Sequence, residues 1–420
     1  MSQAEICVAQ IGARRHYAIP AILSGQGTLT RFYTDLHAES LPVRALSSLS
    51  VFNRLGALRR ARARQIRDVP SDRVYDFPWF GIRRMLRARG VRTSAQRYAS
   101  YVSANRKFGN LVCHAGFADA NTVYVFNGAG LEIMKAARKL GLKTIMEQTA
   151  ADQAFDEQLL AEERHHWPHW EQQKVVEDDW RTLADREIEE RSLADLVICG
   201  SEYVRDSIAS VGETTAHCAV VPSGYRTVAQ TSKQHSSGAG LNVLFAGSVC
   251  LRKGIQYLLK AADSLPSDRI AIRVVGPQAI SDRAFRDVCT TFEYAGIVPR
   301  SEMPAQYAWA DVLVLPTISE GSANVCYEAL AAGLPVITTP HAGSVVRDGL
   351  EGFLVPIRSS EQLSEKILKL DQDTNLWQTM SENALARAQE FTWDRYAARL
   401  LAAVGRLFET QSQKPAEFAS

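Results

Sequence analysis

Along this chain, short apolar runs alternate with stretches of helical periodicity. In the first half, Ile6–Ile11, Val123–Phe126, Lys143–Met146 and Leu196–Cys199 are too short for helices and predict strands. Asp152 to Arg191, between the last two, is long and charged and predicts helix with an exposed face. Alternation resumes with predicted strands at Asn242–Ala246, Ile270–Val275, Tyr294–Ile297, Asp311–Leu315 and Pro335–Thr338, and a helix from Gly254. Gly or Pro follows these strands, as turns at the ends of parallel strands require. The class is therefore α/β, with two doubly wound units whose ligands bind beyond the carboxyl ends of the strands. The polar, Ser- and Gly-rich stretch Thr227–Gly240 reads as a linker, giving domains at 1–228 and 240–390.

Composition changes this picture little. At 420 residues the chain is too long for one core, and 46% hydrophobic with 22% charged residues is ordinary globular composition. Seven scattered cysteines without a CxxC pair speak against a disulfide framework or zinc site and suit a reducing cytoplasm. The start lacks the apolar core of a signal peptide, and no window approaches the roughly 20 apolar residues that span a bilayer. A soluble chain, at most attached to a membrane surface, is expected. The cluster His165–Trp170 is interrupted by Pro168 and reads as a surface turn anchored by two tryptophans rather than a metal site.

Charge distribution changes it more. Residues 54–107 hold 15 Lys or Arg against three Asp, interleaved with Phe77, Trp79, Phe80, Met85 and Leu86. Such a surface suits anionic lipid headgroups or a lipid-diphosphate acceptor, or is an Arg-rich solvated face. Nothing else in the sequence supports nucleic acid.

The chemistry concentrates after the strand ending at Leu315. A loop of small residues leads to a helix predicted from near Ser322 to the Gly333-Leu334-Pro335 stop signal. Free N–H groups at that helix start suit a phosphate. Glu320 precedes the helix and Glu328 lies inside it. Carboxylates accept hydrogen bonds from sugar hydroxyls, so a phosphate site between two of them suits a nucleotide-sugar.

Glu320 and Glu328, with the continuation Ala329-Leu330-Ala331-Ala332-Gly333-Leu334-Pro335-Val336, resemble the Glu-x7-Glu motif of the family 4 glycosyltransferases. These are retaining enzymes of the GT-B architecture, in which two Rossmann-like domains face a central cleft. Phe245 to Ile255, Tyr294 to Pro299, Ala310 to Thr317, Asp348 to Val355 and Val220 to Gly224 are similar to further family segments. The resemblance is clear over about residues 195–400.

The resemblance implies roles. Gly247 and Ser248 begin the strand–Gly–loop element; Lys253 pairs with the donor diphosphate and Arg252 shares that task, since Ser248 stands where the family often has Arg. Glu328 holds the ribose, Glu320 contacts the sugar near the reacting carbon, and the amides of Gly321, Ser322, Ala323 and Asn324 bind phosphate or sugar oxygens. Gly296, Ile297 and Val298 lie by the base. In the first domain, Gly12 ends a strand and lets the backbone approach the donor; without GxGxxG a nicotinamide cofactor is poorly supported. His114 is similar to a cleft histidine that contacts the transferred sugar, and Gly116, Asn127-Gly128, Glu147 and Gln148 are candidates for cleft-facing positions. A helix at about 391–408 crosses back to the first domain.

The reaction so implied moves a sugar from a nucleoside diphosphate to an acceptor hydroxyl with retention and without a metal, in polysaccharide or glycolipid synthesis. The partners are a nucleoside-diphosphate sugar, a lipid-linked or saccharide acceptor and, through residues 54–107, an anionic membrane surface. Nucleotide-sugar 2-epimerases, sugar phosphorylases and non-catalytic binding subunits are the alternatives on this architecture.

Overall fold

The computed structural model describes residues 4–47, 61–171, 175–225 and 240–409. Most of the linker, Arg54 to Arg60 and the tail after Glu409 lie outside the described residues.

Two parallel sheets carry the fold. The first contains β1 (Ile6–Ala9), β2 (Leu29–Thr34), β3 (Val74–Asp76), β4 (Thr122–Phe126), β5 (Lys143–Gln148), β6 (Leu196–Cys199) and β7 (Cys218–Val220). Their order is β3-β2-β1-β4-β5-β6-β7. The second contains β8 (Leu241–Ala246), β9 (Ile270–Val275), β10 (Glu293–Gly296), β11 (Val312–Leu315), β12 (Val336–Thr338) and β13 (Gly352–Leu354), ordered β10-β9-β8-β11-β12-β13. Strands β1, β4, β6 and β11 are buried along their whole length. Continuous apolar runs are what helices on both faces of a sheet demand.

Each sheet has its own core. In the second, Trp377 is fully buried and its indole N–H donates to the Asp311 carbonyl at 2.8 Å. Truncating such a residue costs about 3–5 kcal/mol. The last helix, Trp393–Glu409, returns to the first sheet and buries Tyr396, Leu400, Ala403 and Val404 against Ile6, Val8, Tyr124 and Ile198.

Residues 152–191 depart from the expected exposed face. They form two helices, Gln153–His166 and Glu177–Leu193, in which Asp156, Glu157, Glu163, Arg186, Glu187, Glu190 and Arg191 are buried. The charges are internal because they meet partners distant in sequence: Arg191 pairs with Asp152 at 2.7 Å, and Arg186 with Glu132 at 2.8 Å. Trp167 and Trp170 do anchor the turn after the first of these helices. Their rings lie 5.2 Å apart, and the Trp167 N–H reaches the Tyr257 hydroxyl of the second domain at 3.3 Å.

Candidate functional site

The carboxyl ends of the two sheets face each other, and the loops leaving them meet. β8 and β11 are neighbours, so the turn Leu251–Lys253 lies beside the loop that follows Leu315. The Arg252 carbonyl accepts from the Ile318 amide at 2.8 Å and the Thr317 hydroxyl at 2.9 Å. Gly254 has φ +74°, and a Cβ there would overlap the Pro316 carbonyl. Only glycine lets the Lys253-Gly254 turn approach the end of β11 so closely. The Lys253 stem lies against Gly247, next to half-buried Ser248, and its Nζ stands 2.8 Å from Glu320 Oε1.

Helix Asn324–Ala331 begins just beyond Glu320. The amides of Gly321, Ser322 and Asn324 have no acceptor among the described residues, so they remain available to an anion. The Ala323 amide does not: it donates to the Ala342 carbonyl at 3.0 Å, which removes it from the expected set. Glu328 accepts from the Tyr307 hydroxyl at 2.7 Å and from Arg300 at 3.1 Å. Burial and the Glu328 carboxylate push the Tyr307 phenol well up, so it stays a donor. Ile297, beyond β10, is 77% exposed.

Arg252 differs from its expected role. Its guanidinium is ion-paired with Asp156 of helix Gln153–His166, at 2.6 Å, across the domain boundary. Burial pushes the Asp156 carboxyl up and Arg252 holds it back. The neighbouring Glu163 accepts from Gln256 at 2.9 Å and Tyr257 at 2.8 Å. Arg252 thus belongs to a polar seam joining the domains; Lys253 makes the direct contact with Glu320, while Arg252 is near enough to feel the same carboxylate.

The first domain brings Gly12 to this edge. Its amide donates to buried Asp35 at 2.9 Å, and Arg64 and Arg84 hold the same carboxylate. Arg15, His16 and Tyr17 then follow with φ of 48°, 52° and 63°, a left-handed run uncommon for residues with side chains. It points Arg15 inward, onto Glu147 and Ser223 at 2.6 Å each, with Ser322 close by. His16 meets Arg300, so one arginine links the first domain to Glu328. The cavity among Arg15, His16, Arg300, Asn324 and Glu328 measures about 70 Å³, room for water but not for a nucleotide. A ligand here must move the Arg300 contact aside.

His114 is not brought to the site. It is exposed in the last turn of helix Ser94–Ala115, before β4. Thr122 of β4 is in register with Ile6 and Lys143, the first residues of their strands. His114 and Gly116 therefore sit at the amino end of the sheet, opposite the cleft. Asn127-Gly128 does lie at a carboxyl end, but the site is filled: Glu190 accepts from the amides of Gly128 at 2.6 Å and of Gly130 and Leu131 at 2.9 Å. Glu147 reaches the cleft only through Arg15, and Gln148 is buried against Glu187 at 3.2 Å.

Residues 240–373, which contain Lys253, Glu320 and Glu328, match the family described as "Glycosyl transferases group 1". This segment is a group 1 glycosyltransferase domain. A D-inositol 3-phosphate glycosyltransferase of Streptomyces bingchenggensis is 31% identical over 173 residues, 37% of this chain and 38% of that relative. The chain thus spans well under two thirds of that relative's length. Sucrose-phosphate synthase from Thermosynechococcus elongatus superposes with a TM-score of 0.65 at 15% identity, covering 97% of this chain and all of the other. HepE of Anabaena, solved with UDP and glucose, gives 0.58 at 16% identity over 96% of this chain. The architecture is GT-B.

Around the glycosyltransferase domain, sequence reasoning missed Arg15, Asp35, Asp156 and Arg300. Arg15 was visible only as part of a polar loop after Gly12. Asp35, Asp156 and Arg300 carry no local signal, because their partners lie in other elements.

Proposed function

We propose that the chain is a retaining glycosyltransferase that moves a sugar from a nucleoside-diphosphate sugar to an acceptor hydroxyl, in polysaccharide or glycolipid synthesis. The observation that carries this reading is the Lys253–Glu320 pair, set beside unused amides at the start of helix Asn324–Ala331. A diphosphate fits the ammonium and the amides; a sugar hydroxyl and a ribose fit Glu320 and Glu328. The presence of UDP and glucose in HepE supports a nucleoside-diphosphate hexose.

In the proposed step the acceptor oxygen forms a bond to the anomeric carbon as the bond to the leaving phosphate oxygen breaks. That oxygen takes the acceptor proton, and the nucleoside diphosphate departs. Its growing charge is met by Lys253 and the helix amides, which are oriented before the reaction begins. No side-chain base is required, and the reading includes no metal. We place the reaction at the cytoplasmic side, with contact to a membrane face through the basic region. Among the described residues no helix is long and apolar enough to cross a membrane.

The test is to incubate the chain with nucleoside-diphosphate sugars and hydroxyl acceptors and follow the product by proton NMR. The reading predicts nucleoside diphosphate released with acceptor, a product anomer matching the donor, and unchanged turnover in chelator. An inverted anomer would overturn retention; epimerised donor without transfer would overturn the transferase reading.

A further inference from the structure

A cavity of about 510 Å³ opens between helix Pro78–Arg87 and helix Ser94–Ala115, away from the Lys253–Glu320 site. That volume is in the range of small-molecule sites. Phe77, Trp79, Phe80 and Leu111 supply an apolar wall. Arg83, Arg87 and Lys107 also line it, are exposed, and have no ion-pair or hydrogen-bond partner among the described residues. Asp76 is the carboxylate at its edge, and it already meets His37 at 3.5 Å and Ser40. Three free cations beside an apolar wall leave a site short of negative charge. Phe77 stacks on Tyr33 with ring centroids 5.9 Å apart, and Phe80 is buried against Phe108, so the wall is built on the sheet.

The cavity is tied to the first domain's cleft loop. Helix Pro78–Arg87 leaves the carboxyl end of β3, the same edge as Gly12. Arg84, another lining residue, reaches Asp35 Oδ2 at 3.0 Å, and Asp35 Oδ1 takes the Gly12 amide at 2.9 Å. One buried carboxylate therefore fixes both the cavity wall and the loop that faces the donor.

We propose that this cavity binds the acceptor, and that the acceptor is a single-chain amphiphilic anion: a sugar carrying the acceptor hydroxyl, joined through a phosphate or diphosphate to a hydrocarbon alcohol. The phosphate meets Arg83, Arg87 and Lys107, and the first carbons of the chain lie on Phe77, Trp79 and Phe80. Arginine suits phosphate geometry, and an exposed indole suits a hydrocarbon that runs out toward a bilayer. The cavity's inner wall, where Phe80 is buried, favours one bound molecule over a flat membrane or a nucleic-acid backbone. The acceptor role rests on the transferase reading above; binding of the amphiphile does not.

The test is calorimetric titration of the full chain with n-decyl phosphate below its micelle concentration, with n-decyl maltoside and inorganic phosphate as controls. We expect one decyl phosphate per chain, bound at least about tenfold more tightly than either control. The Arg83→Ala/Arg87→Ala variant should lose about tenfold, and Trp79→Ala, at an exposed position, should weaken decyl phosphate but leave nucleoside-diphosphate binding unchanged. Equal affinity for inorganic phosphate, many molecules per chain, or no effect of the double variant would overturn the cavity assignment. Titrating nucleoside diphosphate into the same samples separates the two readings. Failure of decyl phosphate alone overturns the cavity; decyl phosphate binding in a chain that binds no nucleotide overturns the acceptor role.

Discussion

Lys253 Nζ lies 2.8 Å from Glu320 Oε1, the two residues lying in the segments that follow neighbouring strands β8 and β11 of the second sheet. Both side chains are mostly covered, yet each keeps an exposed fraction through which a ligand can reach it. The pair is an exchangeable one: a diphosphate would take the ammonium, and a sugar hydroxyl would take the carboxylate. Each partner keeps the other oriented until ligand arrives. Replacing Glu320 with Gln should therefore leave nucleoside-diphosphate binding equal or tighter, by removing a negative charge beside the phosphate, while slowing transfer about 100-fold or more. Steady-state kinetics with parallel calorimetry checks the split.

Arg252 should behave differently from Lys253. Arg252→Ala leaves Asp156 buried without its cation, which destabilises by about 2 kcal/mol once the partial exposure of the arginine is allowed for. Thermal unfolding should register this loss, and Asp156→Asn/Arg252→Gln should recover part of it. A turnover defect as large as that of Lys253→Ala with unaltered stability would instead return Arg252 to the diphosphate.

Gly321→Ala should separate the domains. A Cβ at this position would overlap the Thr149 carbonyl, and the Gly321 carbonyl also accepts from Ser201 Oγ at 2.6 Å. Backbone on both sides leaves nothing flexible to yield. We expect a loss of about 1–3 kcal/mol and a larger radius in small-angle scattering. A variant as compact and stable as the parent would show that the contact does not hold the domains.

Glu190 gives a pH dependence of definite sign. Burial, reinforced by Glu187, raises its carboxyl from 4.5 to about 8, against the pull of the Gly128 and Gly130 amides. Between those values the folded chain holds a proton that the unfolded chain has released. This contribution to stability is full below pH 4.5, falls as pH rises, and is lost by about pH 8. The difference in stability between parent and Glu190→Gln should shift in the variant's favour from pH 5 to pH 8. Melting curves of both across that range check it; a constant difference would contradict it.

Most central strands were legible because their apolar runs are nearly continuous and Gly or Pro follows within a few residues; β5, Lys-Thr-Ile-Met-Glu-Gln, has only a short apolar centre and no such stop. β2 was not, since Arg31 and Thr30 interrupt Leu29-Thr-Arg-Phe-Tyr-Thr, and β3, β7 and β13 are three-residue strands at or near sheet edges. The convergence of Lys253, Glu320 and Glu328 was legible from local order along one domain. The partners of Glu163, Glu190 and Arg252 were not: a charged helix reads as solvated until the surface covering it is known. His114 failed for a related reason. A short His-Ala-Gly similarity carries no strand polarity, and the segment enters β4 rather than leaving it.

The most direct test of the donor site is calorimetric titration of the parent chain and Lys253→Ala with UDP, GDP and ADP, alongside the free nucleosides. The account predicts that at least one diphosphate binds the parent and that Lys253→Ala weakens it by about tenfold or more, while the nucleoside affinity is the same for both. No diphosphate binding, or equal diphosphate affinity in parent and variant, would contradict it.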